Sequence, residues 1–140
     1  MTTLNKSYLS EISTKYKIED VDLFGSDFSS YVLTVKRDRI YLALCNDYSC
    51  SYDVNKILEE VSVLEEKSKK GNSYLCVMAA DNPTKEMCTF FNGKSFVHFI
   101  LIDNNAKNLV YDKKIYYSGV KHIKKLMDMY QKCFDELMEV

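Results

Sequence analysis

The chain has 140 residues, 46% of them hydrophobic, and a formal net charge of −1 from 19 Lys and Arg against 20 Asp and Glu. This length suits one compact domain covering residues 1–140. The balanced charge argues against a nucleic-acid binder that relies on bulk positive charge and against an acidic DNA mimic. No apolar run reaches the ~18 residues that a membrane span needs.

The first half of the chain predicts two helices and a hairpin. Apolar residues at helical spacing predict a helix over residues 3–17, capped by Thr2 or Thr3. Residues 31–36 and 40–45 are rich in apolar, β-branched and aromatic residues, which predicts two paired strands. The charged link between these strands consists of Arg37, Asp38 and Arg39.

A second helix should begin after Asp53, whose carboxylate can cap it, and should end before Gly71. Residues 73–80 form a nearly continuous apolar run, which is typical of a central strand covered on both faces. The pair Asn92 and Gly93 then predicts a tight hairpin between residues 87–91 and 95–102.

The last part of the chain predicts a short strand over residues 109–111, a candidate strand over 115–117, and a long helix capped by Ser118. The apolar stripe of this helix ends with Phe134, Leu137 and Met138, and it suits the monomer core or a homodimer contact equally well. The order α-β-β-α-β-β-β-α predicts an α+β two-layer sandwich: a mainly antiparallel sheet of five to six strands with three helices.

The five cysteines are an odd number, and the first 21 residues contain no apolar segment of the signal-peptide type. Both features predict a reduced, cytoplasmic protein. No Cys or His spacing of a common zinc site is present, so we expect neither a metal nor a cofactor. His98 is expected to be a hydrogen-bonded strand residue.

One string resembles the opening of the minimal nucleotidyltransferases, in which a Gly-Ser turn holds a triphosphate: Leu23-Phe24-Gly25-Ser26. That chemistry also needs two carboxylates about a dozen residues further on to hold divalent cations. Here Asp38 stands alone and Ile40 occupies the second position. We therefore expect no catalytic residues, and a degenerate transferase that only binds nucleotide remains an alternative.

The loop over residues 46–53 carries two tyrosines that no core pattern explains, Tyr48 and Tyr52. Tyrosine is frequent at protein interfaces, and loops often carry recognition. The other interpretation is that these rings fold back on the domain as a local lid.

Ten positions between residues 31 and 55 carry a resemblance to a known family: Tyr31, Val32, Lys36, Ala43, Leu44, Cys45, Cys50, Tyr52, Asp53 and Asn55. With a gap of two residues, this segment resembles the small type II-A anti-CRISPR inhibitors of prophages. The resemblance implies a non-enzymatic inhibitor that occupies a DNA-binding surface of an RNA-guided nuclease. Members of that family are strongly acidic, whereas this chain is balanced.

The sequence thus favours a non-enzymatic binding protein, with an anti-CRISPR-like phage or mobile-element inhibitor of host defence as the specific candidate. We expect a protein partner, no membrane and no direct contact with nucleic acid. The predicted contact residues are Arg37, Asp38, Arg39, Asp47, Tyr48 and Tyr52. A small-molecule or nucleotide-binding sensor domain is the alternative from another class.

Overall fold

A computed structural model describes residues 2–36, 38–114, 117 and 120–138. The three helices are α1 (Thr3–Ser13), α2 (Val54–Glu65) and α3 (Val120–Met138). The strands, in chain order, are β1 (Lys17–Val21), β2 (Phe28–Val35), β3 (Asp38–Cys45), β4 (Ser73–Ala79), β5 (Thr89–Phe91), β6 (Phe96–Asp103) and β7 (Asn108–Val110). A short 3₁₀ helix, Lys85–Met87, precedes β5.

The strands form one mixed sheet in the order β1-β2-β3-β4-β6-β5, and β7 also pairs with β6. Strands β1, β2 and β3 are an antiparallel meander, whereas β3, β4 and β6 run parallel. The parallel step follows from α2, because a strand–helix–strand crossover returns the chain in its original direction. The predicted α+β class with three helices is confirmed.

The helices lie on both faces of the sheet, so the two-layer arrangement expected from the sequence is wrong in this detail. Helices α1 and α3 pack on one face, against side chains such as Leu42, Leu75 and Ile100. Helix α2 packs on the other face, against side chains such as Cys76 and Phe99. Because β4 is buried along both faces, one helical layer could not have covered it.

Strand β1 was not expected, since residues up to 17 were predicted to continue the first helix. Helix α1 ends at Ser13, and Lys17–Val21 pair with β2 at the edge of the sheet. The strand is rich in charged residues, and local propensity therefore does not indicate a strand. Charged residues are tolerated here because an edge strand faces solvent.

The local signals for turns and caps are confirmed where the structure describes them. Thr2 caps α1, and the Asp53 carboxylate accepts a hydrogen bond from the Asn55 backbone N–H at 2.9 Å. Gly93 has a φ of 90° in the β5–β6 turn, where Asn92 accepts backbone hydrogen bonds. The candidate strand over residues 115–117 and the Ser118 cap fall on or beside residues outside the described part of the chain.

None of the helices in the described part of the chain is long and apolar enough to cross a membrane.

Gly71 marks the point where the chain enters β4 close to the β5–β6 turn. A Cβ atom there would lie 1.7 Å from the carbonyl oxygen of Lys94, which is backbone and cannot move aside cheaply. We expect Gly71→Ala to lower the free energy of unfolding by about 2 kcal/mol or more. Urea unfolding measures this, and exposed Lys70→Ala is the control, with an expected change within about 0.5 kcal/mol. Equal stability of the two variants would contradict the close approach.

Candidate binding surfaces

The residues predicted to contact a partner do not form one surface. Asp38 and Arg39 begin β3, whereas Asp47, Tyr48 and Tyr52 follow its end. The eight residues of β3 separate the two groups by roughly 23 Å, at ~3.3 Å per residue. Arg37 lies outside the described residues. The sheet therefore divides the predicted set between its two ends.

Tyr48 is bound into the fold. Its hydroxyl lies 2.8 Å from the hydroxyl of Tyr130 on α3 and donates to the side-chain oxygen of Asn5 on α1. Asn5 is fully buried and donates to the carbonyl of Cys45 at 2.9 Å. Burial raises the pKa of Tyr48 to about 12, so the phenol stays protonated. This network joins α1 and α3 to the end of β3.

The side chain of Asp47 is hydrogen-bonded within its own loop. Its carboxylate accepts hydrogen bonds from the backbone and hydroxyl of Ser49, at 2.9 and 2.6 Å, and a contact from the Cys50 thiol. These hydrogen bonds lower the pKa of Asp47. Asp81, at the end of the next strand, accepts from Ser51 at 2.8 Å in the same way. These exposed carboxylates shape turns at the carboxyl ends of the parallel strands.

Tyr52 belongs to a row of aromatic rings on the α2 face of the molecule. Its half-buried ring lies 5.1 Å from the ring of Phe28, which lies 6.0 Å from the ring of Phe24. The Tyr52 hydroxyl makes no hydrogen bond with any described residue. The backbone N–H of Tyr52 donates to the carbonyl of Ala79 at 2.9 Å, but the side chain is held by packing alone and remains accessible at one side.

The row leads to an exposed apolar surface that sequence reasoning missed. A shallow cavity of about 410 Å³ is lined by apolar and acidic residues only: Leu23, Phe24, Val63 and Leu64, with Asp22, Glu59 and Glu60. We call these seven residues the acid-rimmed patch. Amphipathic periodicity could have flagged Val63, because it lies two residues after the buried Val61 and therefore off the face that Val61 shares with Ile57.

The Gly25-Ser26 turn and the carboxylate of Asp38 lie at opposite ends of the β2–β3 hairpin. Phe28, just after the turn, pairs with Cys45, whereas Val35 pairs with Asp38. A cation bound at Asp38 would be roughly 23 Å from a phosphate bound at the turn, given ~3.3 Å per residue along β2. The geometry of nucleotidyl transfer is not assembled by these residues.

His98 is fully buried in β6, as expected, and its Nε2 lies 2.6 Å from the hydroxyl of Tyr117. Burial lowers its pKa to about 4 despite the nearby Asp112 carboxylate, so the ring is neutral at pH 7. Burial also raises the pKa of the Cys45 and Cys88 thiols to about 12, which leaves them weak nucleophiles. Among the described residues, no group of three His, Cys, Asp or Glu could hold a metal ion.

The apolar stripe of α3 serves the core of the monomer. Ile123, Leu126, Met127, Tyr130 and Cys133 are buried against α1 and the sheet. Phe134 is half-buried, and Leu137 is 39% exposed. The side chain of Met138 lies outside the described part. Most of the stripe is thus already used within one chain.

A comparison of the chain with protein-family models, curated proteins and solved structures finds no significant match in any of the three. What the protein does is therefore inferred from its own residues.

The hydroxyl of Tyr48 is predicted to stabilise the fold. Replacing it in Tyr48→Phe leaves the buried Asn5 oxygen without its donor, so the free energy of unfolding should fall by about 1–3 kcal/mol. Tyr52→Phe is the matched control and should change stability by less than about 0.5 kcal/mol. Chemical denaturation of both variants decides it, and equal stabilities would contradict a structural role for Tyr48.

The neutral, buried His98 makes stability depend on pH. The unfolded chain protonates His98 near its usual pKa of 6.5, whereas the folded chain does so only at a pKa of about 4. The unfolded state therefore holds more protons between these values, and stability falls as the pH decreases through this window. At pH 5 the loss should be about 2 kcal/mol.

His98→Gln removes this titration but leaves the other ionisable groups in place. Between pH 7 and pH 5 the wild-type protein should lose about 2 kcal/mol more stability than the variant, measured by denaturation at each pH. Parallel pH profiles for the two proteins would show that His98 accepts a proton freely in the folded state.

Proposed function

We propose that the protein is a non-enzymatic binding protein that covers a basic surface of a protein partner with its acid-rimmed patch. One observation carries this proposal: two neighbouring aliphatic side chains on α2 face solvent, with Val63 65% exposed and Leu64 44% exposed. An apolar patch with a polar rim is typical of protein–protein contact sites.

The fold does not need these two residues to be apolar. Helix α2 is anchored to the sheet through Val54, Ile57 and Val61, which are all buried. Val63 lies outside this anchoring face, and Leu64, at the margin of the face, is still 44% exposed, so neither side chain is part of the buried core. Their apolar character is explained by a contact made outside the domain.

The backbone beside the patch is strained, and this strain is a second observation that favours a functional surface here. Phe24 has a φ of 64°, a left-handed conformation that a bulky aromatic residue rarely adopts, and Gly25 follows with a φ of 81°. Such a conformation costs on the order of 1–3 kcal/mol and is concentrated at functional sites. Here it places Phe24 between Leu23 of the patch and the row that ends in Tyr52.

The charge of the rim favours a basic partner surface. Asp22, Glu59 and Glu60 border the apolar residues, and none of the described residues that line the cavity is basic. Opposite charges around an apolar centre speed association and exclude wrong partners. A protein surface that binds nucleic acid has the required positive charge.

The specific target that we propose is the DNA-binding surface of a type II-A RNA-guided nuclease. The segment that resembles the anti-CRISPR inhibitors includes Tyr52 and ends at Asn55 in the first turn of α2, one helical turn before Glu59 of the patch. The acid rim supplies locally the negative charge that the whole chain lacks. The inhibitor would act by occupying the surface to which DNA must bind.

Binding of target DNA by a purified type II-A nuclease, loaded with its guide RNA, tests this function. The wild-type protein should reduce DNA binding in a gel-shift assay and should form a complex with the nuclease. Val63→Lys places a positive charge in the apolar centre and should weaken inhibition at least tenfold, since a desolvated centre carries most interface energy. Ser10→Lys is the control: it makes the same charge change at an exposed position on α1 and should inhibit normally.

Two outcomes would contradict the proposal. Full inhibition by Val63→Lys would place the contact elsewhere, and no complex with the nuclease would remove the proposed target. A wild-type dimer that dissociates in Val63→Lys, observed by sedimentation, would identify the patch as a contact between two copies of the chain.

A further inference from the structure

A second surface lies at the end of the sheet where the parallel strands begin, and it shares no described lining residue with the acid-rimmed patch. It contains a cavity of about 760 Å³. Four lysines line this cavity, one each from the α1–β1 turn, β1, the β2–β3 turn and α3: Lys15, Lys17, Lys36 and Lys125. Asp128 is the one carboxylate among the described lining residues, and it already pairs with Lys113. The cavity therefore keeps an excess of positive charge.

An adjoining cavity of about 660 Å³ continues this surface, because His122 lines both. Its cations are Arg39, Lys69, Lys70 and Lys94, against one carboxylate among the described lining residues, that of Asp38. The Lys94 ammonium donates to the backbone carbonyls of Glu65 and Ser68 at the end of α2. An ammonium group has three N–H donors, so one is left over from these two carbonyls for a ligand. We call the two cavities together the basic groove.

Aromatic rings stand beside these cations. Phe96 and Tyr117 line the second cavity and stack on each other, with centroids 3.8 Å apart and planes 3° apart. Phe91 lies against Phe96 at 4.5 Å and is 57% exposed, so part of this aromatic stack is open to solvent. Flat ring faces can stack on the base of a nucleotide, and neighbouring cations can bind its phosphate.

The dimensions suit a strand of several nucleotides. The groove runs across the sheet from Lys36 after β2 to Phe96 at the start of β6, and Phe91 of β5 extends this line to four strand spacings or roughly 19 Å. The amino end of α3 lies at the same end of the sheet, since His122 lines both cavities. The positive end of that helix dipole adds to the field.

We propose that the basic groove binds single-stranded nucleic acid. The lysines and Arg39 contact the phosphates, and the exposed face of Phe91 stacks on an unpaired base. A duplex keeps its bases stacked on one another and offers none to this ring. An acidic protein segment would match the cations but leave the aromatic stack unused.

This inference departs from the expectation that the chain makes no direct contact with nucleic acid. That expectation rested on the net charge of the whole chain, which is −1. The fold gathers basic residues at one end of the sheet and leaves exposed carboxylates such as Asp47 and Asp81 at the other. The groove is also independent of the acid-rimmed patch, so either site can fail without the other.

Fluorescence anisotropy with a labelled 12-nucleotide oligodeoxythymidine tests the groove directly. The wild-type protein should bind it, and log K should fall with log salt concentration with a slope of about −3, as expected when about four phosphates are neutralised. The double variant Lys69→Glu/Lys70→Glu should weaken binding at least tenfold. Phe91→Ser should weaken it about tenfold through the loss of one base stack.

The matched control is Lys6→Glu/Lys56→Glu, which changes the net charge by the same amount at exposed positions on α1 and α2 outside the groove. It should bind within twofold of the wild-type protein. If both double variants weaken oligonucleotide binding equally, the effect comes from net charge alone and the proposed site is wrong.

The inference is also overturned if the oligonucleotide does not bind, or if a duplex of the same length binds as tightly. A 12-residue polyglutamate that competes equally well, together with unchanged binding by Phe91→Ser, would assign the groove to an acidic protein segment instead.

Discussion

The fold depends on three parallel strands that are apolar on both faces. In β3, β4 and β6, alternate side chains point into two separate cores, one under α1 and α3 and the other under α2. Each face has to be covered, since exposed aliphatic surface costs about 25 cal/mol per Å². The helices are thereby fixed on opposite sides, and the connections between elements collect at the two ends of the sheet.

The two ends carry opposite charge for local physical reasons. At the carboxyl ends of the strands the chain must turn, and Asp47, Asp81 and Asp103 accept hydrogen bonds that hold those turns. At the amino ends, Lys94 donates to the final carbonyls of α2, where a helix favours cations. A chain with a net charge of −1 thus places exposed carboxylates in turns at one end of the sheet and gathers cations in a groove at the other.

The two loop tyrosines, Tyr48 and Tyr52, differ in role although they are only four residues apart: one stabilises the fold and the other is available for binding. Tyr48 points inwards and completes a network with Asn5 and Tyr130, so its hydroxyl is part of the connection between two helices. The side chain of Tyr52, four residues later, packs on Phe28, and its hydroxyl has no hydrogen-bond partner among the described residues. Of the two, Tyr52 is the one whose environment allows a role in contact with a partner.

Local sequence determined the parts of this protein that depend on local interactions. The cap at Asp53 and the start of α2, the Asn92–Gly93 turn and the buried central strand all follow from hydrogen bonds or periodicity within a few residues, whereas α2 ends at Glu65, well before the predicted stop at Gly71. The predicted burial of residues 73–80 on both faces already required helices on both sides, a consequence that the two-layer expectation overlooked.

Tertiary structure alone decided the rest. Strand β1 exists because β2 offers it a free edge, although its own residues do not favour a strand. Lys15, Lys69 and Lys125 are more than 50 residues apart in sequence, yet they border one continuous groove. Val63 is exposed because Val61, two residues earlier, takes the buried position on α2, and Leu64 is partly exposed at the margin of that face. A binding surface depends on which segments of the chain lie next to each other in space. Long-range packing decides this, and the order of residues along the chain does not.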